Sequence, residues 1–446
     1  MTNENTAELP RVLGLFDVVG IVIGTVIGSG IFIVPAAVAA QVKSPLLMLA
    51  VWAVGGLLTF FGALSLSELG TAFPQAGGMY VYLREAYGPL VSFLFGWTLF
   101  LVIDSGSIAT LSVAFSSKYL PFFFDLTPVE KKLVSAALIT FLVAVNYAGV
   151  RWGARLQNLL TIIKFGAILA VSSIVFLFAK GNPSNFVSAA DGGVPTNIVS
   201  SFGVALVAVL WAYKGWEVAT FTAGEIKNPQ KTIYRGFLIG TLLIISLYII
   251  TNLAYLYVFP ASQIATSTRI ATDAMNAAVG PISAALISFV ILFSITGAAN
   301  GNVLTAPRVL FAMSRDGLFF KKLGAVHPKY LTPYSSIIAI GAWSIILCIS
   351  GTFEQLFTYV IFGQWLFFVL TMAAVIILRK KRPDVPRPYR TWGYPYTPIF
   401  FILSALYISI NSMITQFWNS MAGLGIIVLG IPVYLYWTNL KKRKNQ

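Results

Sequence analysis

Apolar residues run along the chain in twelve blocks, roughly 14–41, 45–67, 89–115, 131–149, 156–179, 198–222, 234–260, 281–312, 334–350, 355–378, 397–415 and 420–438. About 20 apolar residues in a helix span the hydrocarbon core of a bilayer, so the blocks predict an all-α membrane protein of twelve transmembrane helices. Turn-forming punctuation marks the joints: Pro74 with Gly77-Gly78, Gly88-Pro89, Pro121, Asn182-Pro183, Asn228-Pro229, Pro260, Gly280-Pro281 and the proline-rich run 383–398. Pro307 interrupts the eighth block, which ends either near 312 or near Thr305. An even number of crossings puts both termini on one side.

Two blocks are broken from within, the first at Gly28-Ser29-Gly30 and the sixth at Trp211-Ala212-Tyr213-Lys214-Gly215-Trp216. Lipid offers no hydrogen bonds to an opened backbone, so such a break must line a protein-enclosed cavity. Matching breaks in two halves of a chain point to a transporter's binding site. Each broken block also opens a set of five. The organisation read from this is one membrane domain, 1–446, with a first five-helix repeat over 11–180, an inverted second over 198–378 and two additional helices over 395–438. The halves share negligible sequence identity, so the repeat rests on the breaks alone.

Composition supports the membrane reading: of 446 residues, 57% are hydrophobic and 10% charged, against about 25% charged in soluble domains. The net charge of +15 invites a nucleic-acid reading. Most lysines and arginines, however, fall on the side of the termini when these are cytoplasmic, as the positive-inside rule requires. The clusters 379-RKKR-382 and 441-KKRK-444 would then meet anionic lipid headgroups. The acidic N-terminus (Glu4, Glu8) does not resemble a cleaved signal peptide. One cysteine, Cys348, and one histidine, His327, give neither a metal site nor a nucleophile–base set, and no phosphate-binding loop is present. His327, in a loop before Pro328, is expected to be solvated.

At the first break, Gly28 and Gly30 permit close backbone approach, Ser29 adds a hydroxyl, and a new half-helix starting near Ile31 would present N–H groups and a positive dipole end to a carboxylate. The alternative is plain helix packing, since Gly20, Gly24 and Gly28 also form a GxxxG series. At the sixth break, a helix ending near Trp211 to Tyr213 leaves carbonyls suited to an ammonium group. Together the breaks describe the two poles of an amino acid, the half-helix arrangement known from the LeuT transporter. Trp211 and Trp216 are either a pocket cover or packing aromatics.

Two charged residues lie inside apolar blocks on the way to these breaks. Lys164 sits eight residues into the fifth block, about 12 Å from its start, where it either snorkels to the interface or serves function. Asp104 and Lys214 are buried charges on the third and sixth blocks, and such residues usually pair. An ion pair between them is expected. Glu68, Glu85, Glu225, Arg235, Arg308 and Arg315 sit at cytoplasmic helix ends, where they latch an inner gate or meet water.

The stretches 24-GTVIGSGIF-32, 68-ELGTAFPQAGGMYVYLREAYGP-89, 211-WAYKGWEVATFTAGEIKNPQKTIYRG-236, 297-GAANGNVLTAPRVLFAMSRDGLF-319 and 378-LRKKRPDVPRPYRTWGYPYTP-398 resemble, in order, the L-type amino acid transporter family of the amino acid–polyamine–organocation superfamily. The resemblance implies a LeuT-like 5+5 inverted-repeat fold with helices 1 and 6 broken. It implies that the substrate carboxylate meets Ser29 and the backbone of Gly28 and Gly30, and the amino group carbonyls near Val26, Trp211, Ala212 and Lys214. Trp211 would be the aromatic gate, with Thr25 lining the pocket and Asn300 close to it. Lys164 would stand where sodium-coupled relatives hold sodium, tying the fifth helix to the first near Gly24 and Gly28.

Two positions depart from the family pattern. Lys214 replaces a small or acidic residue and would either disfavour cationic substrates or serve as a structural tie, and facing the cavity unpaired it would instead suit acidic amino acids; Asp104 stands where arginine or glutamine is common. The expectation is a sodium-independent antiporter of neutral, small L-amino acids working by alternating access, not an enzyme, with no cofactor, no metal and no nucleic acid. A proton-coupled symporter of the same fold is the alternative, and a membrane-embedded enzyme or receptor the alternative of another class. Animal members join a glycoprotein through a disulfide in the loop after the third helix. Here residues 116–130 contain no cysteine, so no ancillary subunit is expected, and the chain resembles a bacterial member in the cytoplasmic membrane with both termini cytoplasmic.

Overall fold

The computed structural model describes residues 8–187, 197–350 and 353–445, without the side chains of 353–362 and 441–445. Glu4 and the side chains of the 441–444 cluster therefore lie outside the described residues. Every one of the twelve apolar blocks falls on helix. Among the described residues nine helices are long and apolar enough to cross a membrane, and ten if the bent pair Leu15–Val26 and Gly30–Val42 counts as one. Pro128–Tyr147 and the 17-residue Tyr334–Ser350 are helical too, the first weighted at its start by Glu130, Lys131 and Lys132. The chain is a multi-pass membrane protein.

Its surface is apolar where a soluble protein's would be polar: Leu177, Val199, Ile414 and Trp418 are 75–85% exposed, while Glu68, Glu217, Glu225, Lys164 and Arg308 are buried. Such a distribution is stable only with hydrocarbon outside and satisfied polar groups inside.

Helix ends follow local chemistry that apolar pattern alone misplaces. Thr127 and Glu130 form a reciprocal cap that starts Pro128–Tyr147 three residues before the apolar block. Val150–Phe178 begins six residues before its block, on Gly149 at φ 144°. Lys164 therefore lies 14 residues into its helix, about 21 Å from the start, and is fully buried, so it does not snorkel. Pro307 separates Ser283–Thr305 from Pro307–Arg315 with Ala306 still helical, so the eighth block continues as one span, Ser283–Arg315. Short helices Met79–Tyr87, Ala261–Thr266 and Ile270–Val279 fill segments expected as loops.

The first half-helix, Leu15–Val26, packs between Val150–Phe178 and Pro229–Val258. Gly24 lets it close on the fifth span, since a Cβ there would collide with Gln157 and Thr161. A Cβ on Gly28, by contrast, would meet nothing within 4 Å. The packing and cavity readings of the glycine series thus each hold, at different glycines.

Candidate functional site

The first span is bent by 47° at residues 27–29. The carbonyls released there are largely taken up: Lys164 Nζ donates to Gly24 O and, at 2.7 Å, to Ile27 O, and Ser294 Oγ lies 3.1 and 3.0 Å from the carbonyls of Ile27 and Gly28. The second half-helix restarts at Gly30 with Ser29 as its N-cap, and the Ser29 side chain makes no capping bond. Phe32 N donates to Ser29 O at 3.1 Å, while the N–H groups of Gly30 and Ile31 have no preceding turn to bond.

The sixth span is helical over Ile198–Ala212, turns at Tyr213-Lys214-Gly215 and resumes as a ten-residue 3-10 helix, Trp216–Glu225. Runs of 3-10 helix beyond three or four residues are uncommon and often mark a hinge. Thr220 and Thr222 support it by donating to carbonyls three residues back. Gly215 sits at φ 122°, and a Cβ there would stand 2.8 Å from Thr25 O. Thr25 Oγ1 donates to Gly215 O at 2.7 Å, so the two breaks are in direct contact. Tyr248 Oη reaches both first halves, 3.4 Å from Val26 O and 3.3 Å from Ala212 O.

Between the breaks lies a cavity of about 110 Å³, room for several water-sized groups. Thr25, Val26, Gly28, Ser29, Gly30, Trp211, Ala212 and Lys214 line it, as does Asp104. Two C-terminal helix ends and one N-terminal end therefore converge on one space, which suits a ligand with both charges. Trp216 lies outside it, stacked 5.8 Å from Phe368 and edge-on to Phe237 and Phe401.

Asn300 is not at the cavity. Residues 298 and 302, one turn apart, face it, and 300 falls about 200° round the helix from each. Its side chain accepts from Asn146 at 2.9 Å and donates to Gln157 at 2.8 Å and to Gly153 O. Lys164 likewise stands behind the first break and not in the cavity wall.

The expected Lys214–Asp104 ion pair is absent: no contact within 4.0 Å joins them. Asp104 opens the helix Asp104–Ala114 directly after a π-helical turn, Leu99–Ile103, and its N–H bonds back to Leu99 O. Lys214 sits in the turn across the cavity, within electrostatic reach of both Asp104 and Glu217. Glu217, not singled out from sequence, is fully buried, accepts from Gly215 N at 3.0 Å and from Gln364 Nε2, and lines the cavity. Ser107, Thr110 and Asn302 were missed as well. The signal for the third span was available: 104, 107 and 111 recur at helical spacing on one face.

Ion pairs join several helix ends, one of them where the N-terminal segment meets the bundle. Glu225 and Arg308 form a fully buried two-pronged pair at 2.7 and 3.0 Å. Val12 and Leu13 N–H both donate to Glu225 O, and Lys227 N to Leu13 O. Glu68 takes Arg379 at 2.6 Å and Thr391 N at 2.7 Å, Glu85 takes Arg382 at 3.0 Å, and Arg84 takes Asp316 at 2.7 Å. Of the six residues noted from sequence, Arg235 contacts Tyr234 and Arg315 lies over the Phe311 ring. His327 is not simply solvated: Nδ1 accepts from Lys329 and Tyr330 N–H, and the ring stacks on Tyr330.

Comparison with known proteins gives a match to the amino acid permease family model over residues 13–432. The mouse b(0,+)-type amino acid transporter 1 is 34% identical over 447 residues, covering 99% of this chain and 90% of the relative. The serine/threonine exchanger SteT of Bacillus subtilis (strain 168) is 35% identical over 441 residues, 98% of each. The human cystine/glutamate transporter is 33% identical over 436 residues, 97% of this chain and 86% of the relative.

Proposed function

Because the chain belongs to the amino acid permease family, and resembles its L-type branch across nearly its whole length, we propose that it exchanges neutral, small L-amino acids across the cytoplasmic membrane by alternating access. The observation that carries this reading is the meeting of oppositely polarised helix ends on one cavity of about 110 Å³. The substrate carboxylate would meet Ser29 and the N–H groups of the second half-helix. The amino group would meet the carbonyls of Val26, Trp211, Ala212 and Lys214. On this reading the chain makes twelve crossings in a LeuT-like arrangement, 11–180 and 198–378 as inverted repeats with 395–438 appended, and keeps both termini cytoplasmic. It acts as a carrier and not an enzyme, and needs no ancillary subunit, since residues 116–130 contain no cysteine and Cys348 is buried. Likeness to a bacterial exchanger over 98% of both chains supports a bacterial member and exchange. Lys164, holding the first break by its ammonium, supports sodium independence.

Proton-coupled symport is the second reading, favoured by one observation: a carboxylate oxygen of Asp104 is buried at the cavity without a hydrogen-bond partner. Purified protein in liposomes separates the two. Exchange requires that uptake of labelled L-serine need internal amino acid; uptake into empty vesicles driven by an inward proton gradient would replace it with symport.

A further inference from the structure

We propose that a groove beside the segment following the eighth span holds an anionic phospholipid, with its phosphate on Lys321 and Lys322 and an acyl chain against Phe100 and Phe320.

That segment is pinned along its length. Ser314 Oγ donates to Phe320 O at 2.8 Å and lies 3.2 Å from Lys321 O, and Ser336 Oγ donates to Leu323 O at 2.8 Å. Leu318 N bonds back to Met313 O, and a 3-10 turn follows over Lys321–Gly324. A backbone held this way cannot withdraw Phe320, which is 58% exposed. An exposed benzyl group is costly in water and at ease against hydrocarbon. Phe100, Phe319, Phe320 and Ala339 line a groove of about 510 Å³ here, together with Lys321 and Lys322, both exposed. Ile338 beside Ala339 and Tyr436 beside Trp437 are 48% and 60% exposed on apolar helices, so the groove opens toward lipid.

Charge selects the headgroup. Among the described residues neither lysine forms an ion pair, and Asp316, the nearest acid in sequence, is taken by Arg84 and Tyr80. Two unneutralised ammonium groups over an apolar groove fit an anion that carries a hydrocarbon tail. A zwitterionic lipid would fill the groove and leave the lysines poorly matched. The last span gives such a lipid something to hold. Only 17% of the apolar window of Phe417–Leu440 is buried, the lowest share among the described spans. Its Trp437 packs on Phe319 and Phe320, with ring centroids 6.1 and 5.0 Å apart, so a bound lipid would reinforce that contact.

The test is a melting curve of the purified full chain in neutral detergent, titrated with phosphatidylglycerol or with phosphatidylcholine of the same acyl chains. A lysine beside anionic headgroups contributes about fivefold, so the pair predicts half-maximal stabilisation at roughly 30-fold lower phosphatidylglycerol than phosphatidylcholine. Lys321→Ala with Lys322→Ala should bring the two lipids within about threefold. Lys380→Ala, outside the groove, should keep the difference; its loss there would assign the preference to another basic cluster and overturn the proposal. Equal potency of the two lipids on the unaltered protein overturns it too, and that comparison decides even where a variant fails to fold. Inorganic phosphate alone should leave the melt unchanged; a shift matching the lipid's would make the lysine pair a plain anion site. None of these readings depends on transport, so their failure leaves the carrier reading standing.

Discussion

Replacing Lys164 by methionine keeps side-chain length and removes the ammonium, and the structure says what each partner then loses. Gly24 O has no other donor, Ile27 O keeps Ser294 Oγ at 3.1 Å, and Ser294 O lies within its own helix. One carbonyl is therefore orphaned and a second weakened. At about 1–3 kcal/mol for each buried unsatisfied group, the bent geometry loses roughly 2–4 kcal/mol relative to other arrangements of the first span. The fold as a whole loses less, because a buried ammonium with only carbonyl partners carries a desolvation cost that methionine does not. The two quantities should separate. Thermal unfolding in detergent should stay close to that of the unaltered protein. The ratio of the arrangement that binds substrate to its alternatives should fall roughly 30-fold at the lower bound, raising the half-saturating substrate concentration by up to that factor. Exchange of labelled amino acid by Lys164→Met at subsaturating concentration, measured beside a melting curve, gives both numbers. Exchange within about threefold of the unaltered protein, with an unchanged melt, would refute the claim that Lys164 holds the first break.

Gly28→Ala should fold normally, because nothing lies within 4 Å of the added methyl, yet weaken substrate competition by narrowing the cavity. Gly215→Ala should lower the melting temperature, since φ 122° and a Cβ 2.8 Å from Thr25 O together cost about 1–3 kcal/mol or more. Arg308→Ala leaves Glu225 buried and unpaired and should destabilise by about 3–5 kcal/mol, whereas Arg308→Leu with Glu225→Leu should recover much of it, read by detergent melts. Replacing sodium by choline on both sides of the liposome membrane should leave exchange unchanged; a strict sodium requirement would contradict the role given to Lys164.

The helices and both breaks were legible because each depends on a local property, an unbroken apolar run or small residues interrupting one. Asn300 was not, because its neighbours in sequence do not say which way the helix is turned. Only the packing of Gly153 and Gln157 against it fixes that orientation. The depth of Lys164 was underestimated because Val150–Phe178 begins in a polar segment, Arg151 to Gln157, that an apolar window excludes. Lys214 and Asp104 were rightly brought near one another, but the inference from scarcity of buried charge to direct pairing overlooked Glu217. A third charge turns a pair into a set arranged around a space.

That distinction bears on what the cavity is for. Were the breaks merely packing defects, their released groups would find partners inside the protein, as buried backbone groups almost always do. At the first break the carbonyls do so, through Lys164 and Ser294. The Ser29 side chain at the head of the second half-helix makes no capping bond, and Asp104 Oδ2 and Thr110 Oγ1 across the cavity have no partner. A carboxylate alone would answer the half-helix and leave the facing helix end at Ala212, whose carbonyl has Tyr248 Oη at 3.3 Å, without a cation; an amine alone would do the reverse. A ligand carrying both charges answers the two kinds of helix end at once.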